Sequence, residues 1–170
     1  MMIFEIRERL KKLGINDTDC KIACREFLPR LLKNHQIAIT LTLKQSFYSM
    51  NGKQKVTFYI NDVSTELVWE RFMRKLNKLV WKSTFINHGR KLNQIAVLED
   101  GSGTKHRHIH AALGNFPLNF DFRTLPRLVK KASEECFEID RQHKEVISDS
   151  GWFEYITKEV KRRDTDNVMW

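Results

Sequence analysis

Residues 37 to 43 constrain the fold most. Ile37, Ile39, Leu41 and Leu43 alternate there with Ala38, Thr40 and Thr42, the two-residue period of a strand with one apolar face. Around it lie segments of helical period. Ile3, Ile6, Leu10 and Leu13 predict a first helix closed by Gly14, and Cys20, Ala23, Cys24, Phe27 and Leu31 a second, kinked or split at Pro29. Trp69, Phe72, Leu76, Leu79 and Val80 mark a long helix. Further helices are expected over 125–132, with Thr124 as N-cap and Pro126 in the first turn, and over 150–161. Strand patterns recur at 56–60, after a polar, Lys-rich stretch around Gly52, and at 93–99, 105–113 and about 137–143. Asp100-Gly101-Ser102-Gly103 joins two of these as a hairpin. This order predicts the α+β class: a central antiparallel sheet with helices packed on one face and the other face free for function.

A chain of 170 residues with 41% hydrophobic and 30% charged side chains has the composition of one globular domain, and not of a disordered or fibrous chain. Thirty Lys and Arg against 21 Asp and Glu leave a net charge of +9, which favours a polyanionic partner. Glu5 interrupts the N-terminal apolar residues, no stretch has the length and apolarity of a membrane span, and Cys20, Cys24 and Cys136 lack CxxC spacing. A reducing, cytoplasmic location is the expectation, with no membrane partner.

His106-Arg107-His108-Ile109-His110 places three imidazoles on one face of a strand, and Arg107, Ile109, Ala111 and Leu113 on the other. Hairpin pairing would bring Glu99 near His108 and His110. Two imidazoles and a carboxylate on adjacent strands leave coordination positions open, as a catalytic divalent ion requires. The same set also suits a non-haem iron oxygenase, and Glu99 as a solvated charge beside the turn is the plain alternative. Tyr155 and Lys158, three apart on the expected last helix, share a face, and a phenol beside an ammonium can serve as a nucleophile.

Taken together, Ile37-Ala38-Ile39-Thr40-Leu41-Thr42-Leu43, His108-Ile109-His110 and Tyr155-Ile156-Thr157-Lys158 resemble, in order and spacing, the three motifs of the HUH single-strand DNA endonucleases, the rolling-circle replication initiator (Rep) type with a single catalytic tyrosine in particular. The resemblance covers about residues 36 to 160. It implies a sheet of about five strands, Mg or Mn held by Glu99, His108 and His110, and attack by Tyr155 on a scissile phosphate to leave a 5′-phosphotyrosine and a free 3′-OH. Lys158 would orient the phosphate, and Thr40 and Thr42 would point to the metal face. His106 falls outside the family's pair, so a supporting role, a DNA contact or accident stay open.

The resulting division is a helical extension over 1–33, a catalytic domain over 34–160 and a basic tail over 161–170. Lys53, Lys55, Lys82, Arg90, Lys91, Lys105 and Arg107 flank the expected strands and would track phosphates. No GxxxxGK[ST] loop is present, so the partners implied are single-stranded DNA, as an origin or hairpin, and a host helicase. The same chemistry serves HUH transposases and mobilisation relaxases, and a non-catalytic single-stranded nucleic-acid-binding module is the reading from another class.

Overall fold

The computed structural model describes residues 35–51, 53–99, 106–146 and 168–169. Its frame is an antiparallel sheet in the order β6-β1-β5-β4-β7, built from β1 (His35–Leu43), β4 (Asn93–Glu99), β5 (His108–Gly114), β6 (Ile139–Val146) and β7 (Val168–Met169). A separate two-stranded ribbon pairs β2 (Ser46–Asn51) with β3 (Gln54–Tyr59). The α+β class expected from the sequence is observed.

The register follows from the alternation. Ile37, Ile39, Leu41 and Leu43 of β1, Ile109, Ala111 and Leu113 of β5, and Ala96 and Leu98 of β4 are all buried in one core cluster. Because side chains alternate, Ala38, Thr40 and Thr42, with His108, His110 and Ala112, take the opposite face. Two helices supply the other half of the core. Helix α1 (Asp62–Trp81) contributes Val68, Trp69, Phe72, Met73, Leu76 and Val80, and α3 (Leu125–Ser133) contributes Leu125, Val129 and Ala132. Between them in the chain lie a short helix, α2 (Ser83–His88), and a single 3₁₀ turn at Phe122–Thr124.

Helix α1 starts where Asn61 caps it: the Ser64 N–H donates to Oδ1 of Asn61 while the Asn61 N–H donates to the Ser64 hydroxyl. Arg71 ties the helix to the approach to β6 through Glu138, 2.8 Å away, and Lys75 pairs with Glu135 nearby. Asn77 is buried in mid-helix because its Oδ1 accepts from the Leu92 N–H at 2.7 Å, a donor just before β4 that would otherwise be buried without a partner.

Several expectations are corrected. Strand β2 occupies part of the polar stretch around Gly52; its alternation carries no burial signal because the ribbon stands outside the core, with every residue of β3 exposed. Strand β5 begins at His108 and not at 105, so the link from Glu99 is longer than an Asp-Gly turn. The sheet face opposite the helices is not free: Ala38, Ile95, Val97 and Ala112 on that face are all buried. Thr124 does not cap α3 with its side chain, since its hydroxyl donates to the Asp121 carbonyl one turn earlier. Residues 168–169, within the stretch read as a tail, pair with Ala96 and Val97 at the edge of the sheet. The expected helices over 1–33 and 150–161 lie outside the described residues.

Replacing Asn77 with Ala leaves the Leu92 N–H buried and unmatched. Chemical denaturation of Asn77→Ala is expected to show a loss of about 1–3 kcal/mol, with the midpoint lowered and the slope unchanged.

Candidate active site

The three middle strands of the sheet bring five of the expected site residues together. β1 and β5 pair Thr40 with His110 and Thr42 with His108, and β4 and β5 pair Glu99 with His108. Each threonine hydroxyl meets the imidazole across from it: Thr40 Oγ1 is 3.0 Å from Nδ1 of His110, and Thr42 Oγ1 is 3.2 Å from Nδ1 of His108. Glu99 reaches past its direct partner to the diagonal one, its Oε2 2.8 Å from Nε2 of His110. Diagonal neighbours in antiparallel pairs lie within reach of side chains of this length.

The proton positions on His110 follow from donor chemistry. An ionised Glu99 can only accept, so Nε2–H of His110 donates to it, and in a neutral ring Nδ1 then accepts from the Thr40 hydroxyl. Were Nε2 to give up its proton to bind a cation, Nδ1 would carry it and donate back to the same hydroxyl. A hydroxyl serves both states because it both donates and accepts.

Two bonds of about 2.1 Å at right angles hold their donor atoms about 3 Å apart, close to the 2.8 Å separating Glu99 Oε2 and His110 Nε2. His108 stands apart from them, its ring stacked on that of His110 with centroids 6.0 Å apart. Among the described residues no three His, Cys, Asp or Glu side chains converge as a finished metal cage. Glu99 and His110 thus stand at the spacing two ligands of one divalent ion would have, and His108 lies one ring away.

Burial grades along β5. His110 is buried, while His108 is half-buried and Glu99 partly exposed, so the site sits where the covered face opens to solvent. Burial pushes the His108 imidazole below its ordinary pKa, the nearby His110 and His106 push it further, and Glu99 opposes them. His108 is thereby biased toward the neutral form that can ligate a metal.

His106 precedes the strand rather than extending the alternation. Its Nδ1–H donates to the Leu43 carbonyl at 3.1 Å, and the Leu43 N–H donates to the carbonyl of half-buried Arg107 at 2.8 Å. His106 therefore fastens the approach to β5 onto the end of β1. Lys53 and Lys55 are exposed on the ribbon, whereas Arg90 and Lys91 precede β4, at the strand end opposite Glu99. Lys105, Tyr155 and Lys158 lie outside the described residues. The threonine-imidazole pairs went unread in the sequence, although the signal was present: both segments alternate, and the core fixes their register.

Because the folded-state pKa of His108 is depressed, its contribution to stability is fully present above the unfolded value of about 6.5 and is lost as pH falls through the lower folded value. The imidazole Hε1 resonance of His108 is expected to titrate with a midpoint below that value. The melting temperature should fall less steeply on acidification in His108→Gln than in wild type.

No protein-family model, no curated protein and no solved structure matches this chain, so its function is read from its residues and geometry.

Proposed function

We propose that the chain is a metal-dependent, single-strand DNA nicking and strand-transfer enzyme of the HUH/Rep type, which initiates rolling-circle replication through a 5′-phosphotyrosine intermediate. The observation that carries this reading is the juxtaposition of Glu99, His108 and His110 on one sheet face, with each imidazole held by a threonine of the neighbouring strand. The net charge of +9 agrees with a polyanionic substrate. No helix among the described residues is long and apolar enough to cross a membrane.

Glu99, His108 and His110 would hold Mg or Mn, which when bound polarises the scissile phosphate. Thr40 and Thr42 orient the two rings through Nδ1 and leave Nε2 of each to face the site. Tyr155 supplies the nucleophile: its phenolic oxygen bonds to phosphorus as the bond from phosphorus to the 3′ oxygen breaks. A 5′-phosphotyrosine and a free 3′-OH result. Lys158 balances the negative charge that develops on the phosphate. The bond energy is conserved in the tyrosyl ester, so a later attack by a 3′-OH rejoins the strand without ATP.

The test is covalent capture. Wild-type protein incubated with a random single-stranded DNA library and Mn should yield an SDS-resistant protein-DNA adduct, and EDTA or Tyr155→Phe should abolish it. His108→Ala and Glu99→Ala should lose it through weakened metal binding. Full nicking by Tyr155→Phe would overturn the mechanism, and DNA binding indifferent to EDTA with no adduct would favour a non-catalytic binding module.

The threonine pairs give a finer expectation. Thr40→Val keeps the branched shape and removes the hydroxyl, so calorimetric Mn affinity should fall by about 10–100-fold. Thr40→Ser should restore most of it.

A further inference from the structure

The ribbon of β2 and β3 supplies no fully buried core residue, and it displays aromatic side chains to solvent. Tyr48 is 63% and Tyr59 77% exposed. Its two faces differ. On one, Phe47 stacks on Phe58 at 5.3 Å and meets Phe137 edge-on at 4.8 Å, which anchors the ribbon to the body of the protein. On the other, the register sets Tyr48 opposite Thr57 and Ser46 opposite Tyr59, so Tyr48 and Tyr59 are diagonal neighbours on the outward face. Lys55 shares that face, with its ammonium 4.2 Å from the centre of the Tyr48 ring.

We infer that the outward face of this ribbon is a stacking platform for single-stranded DNA, which guides the strand toward the site of Glu99, His108 and His110. The inference deepens the nicking-enzyme reading, and the choice of DNA as the occupant rests on it. Charge is the first argument. From Lys44 to Asn61 the chain carries Lys44, Lys53 and Lys55 and no Asp or Glu, so the platform attracts phosphates along its whole length.

Spacing is the second argument. Diagonal neighbours in an antiparallel pair lie about 7–8 Å apart, and aromatic planes in contact sit about 3.5–4 Å apart. Tyr48 and Tyr59 can therefore hold one base between them, and such stacking tolerates any base because each has a π face.

Continuity is the third argument. Thr42 touches His108, Leu43 accepts from His106, and the ribbon starts at Ser46 with its base closed by the Ile60 N–H donating to the Gln45 carbonyl at 3.3 Å. The platform thus leaves the sheet within a few residues of the site.

The test measures binding without chemistry. Fluorescence anisotropy in EDTA would compare a labelled single-stranded DNA of about 20 nucleotides with an abasic oligomer of equal length, over wild type, Tyr48→Ala and Tyr59→Ala. Each substitution is expected to weaken binding of the base-bearing strand by about fivefold to a hundredfold and to leave the abasic strand unaffected. Photocrosslinking of wild-type protein to 5-iodouracil DNA should label Tyr48 or Tyr59, a readout that needs no variant. Equal losses on both oligomers, no loss, or crosslinks confined elsewhere would overturn the inference. So would sedimentation of wild type as a dimer that the two variants dissociate, since the face would then be an interface between copies. The missing adduct that would defeat the nicking reading leaves these measurements untouched, so the two failures are distinguishable.

Discussion

The pairing of β1 with β5 is the constraint on which everything else depends. Ile39 faces Ala111 and Leu41 faces Ile109 inside the core, so a slip of one residue would turn every apolar side chain of one strand to the wrong face. That cost fixes the register, and the register leaves Thr40 across from His110 and Thr42 across from His108. The site is therefore held by the core without contributing to it. Side chains that would be poor core residues are lined up on one face because the good core residues beside them cannot move.

Small residues let this sheet be covered on both sides. Ala38 and Ala112 sit on the site face and Ala96 and Ala111 on the helix face, all fully or almost fully buried. With Ile95 and Val97 also buried on the site face, water is excluded from the middle of β4 and reaches the end that carries Thr42, His108 and Glu99. This gradient explains why neighbouring histidines on one strand differ. His110 lies deep and is satisfied by a hydroxyl on one nitrogen and a carboxylate on the other, whereas His108 feels desolvation while keeping an open edge.

What could be read from the sequence was what burial writes into it. Period-two stretches such as 37–43 and the helical stripe through Trp69, Phe72 and Leu76 record an apolar neighbour, and they gave the strands, the long helix and the face on which the imidazoles lie. Where burial is absent the pattern is silent. β2 and β3 pair with each other outside the core, so Ser46 to Asn51 carries no periodic mark. The cover over Ile95 and Val97 was equally unreadable, because alternation reports which side chains share a face and not what else lies over that face. The diagonal reach of Glu99 to His110 depends on side-chain length across strands, which sequence spacing does not encode.

One end of the sheet gathers the chemistry, and the backbone explains why. β1 runs toward that end and β5 away from it, while β4 arrives at Glu99, so the end of β1, the start of β5 and the end of β4 all lie together. Their loops must emerge there. His106 ties the chain entering β5 to the Leu43 carbonyl, and Leu43 answers with its own N–H to Arg107, which extends the pairing beyond the last residue of β1. Three residues after Leu43 the chain enters the ribbon, whose inward face is anchored by Phe47 on Phe137. The same pair of strands thus sets both the imidazoles and the point at which the ribbon leaves the sheet.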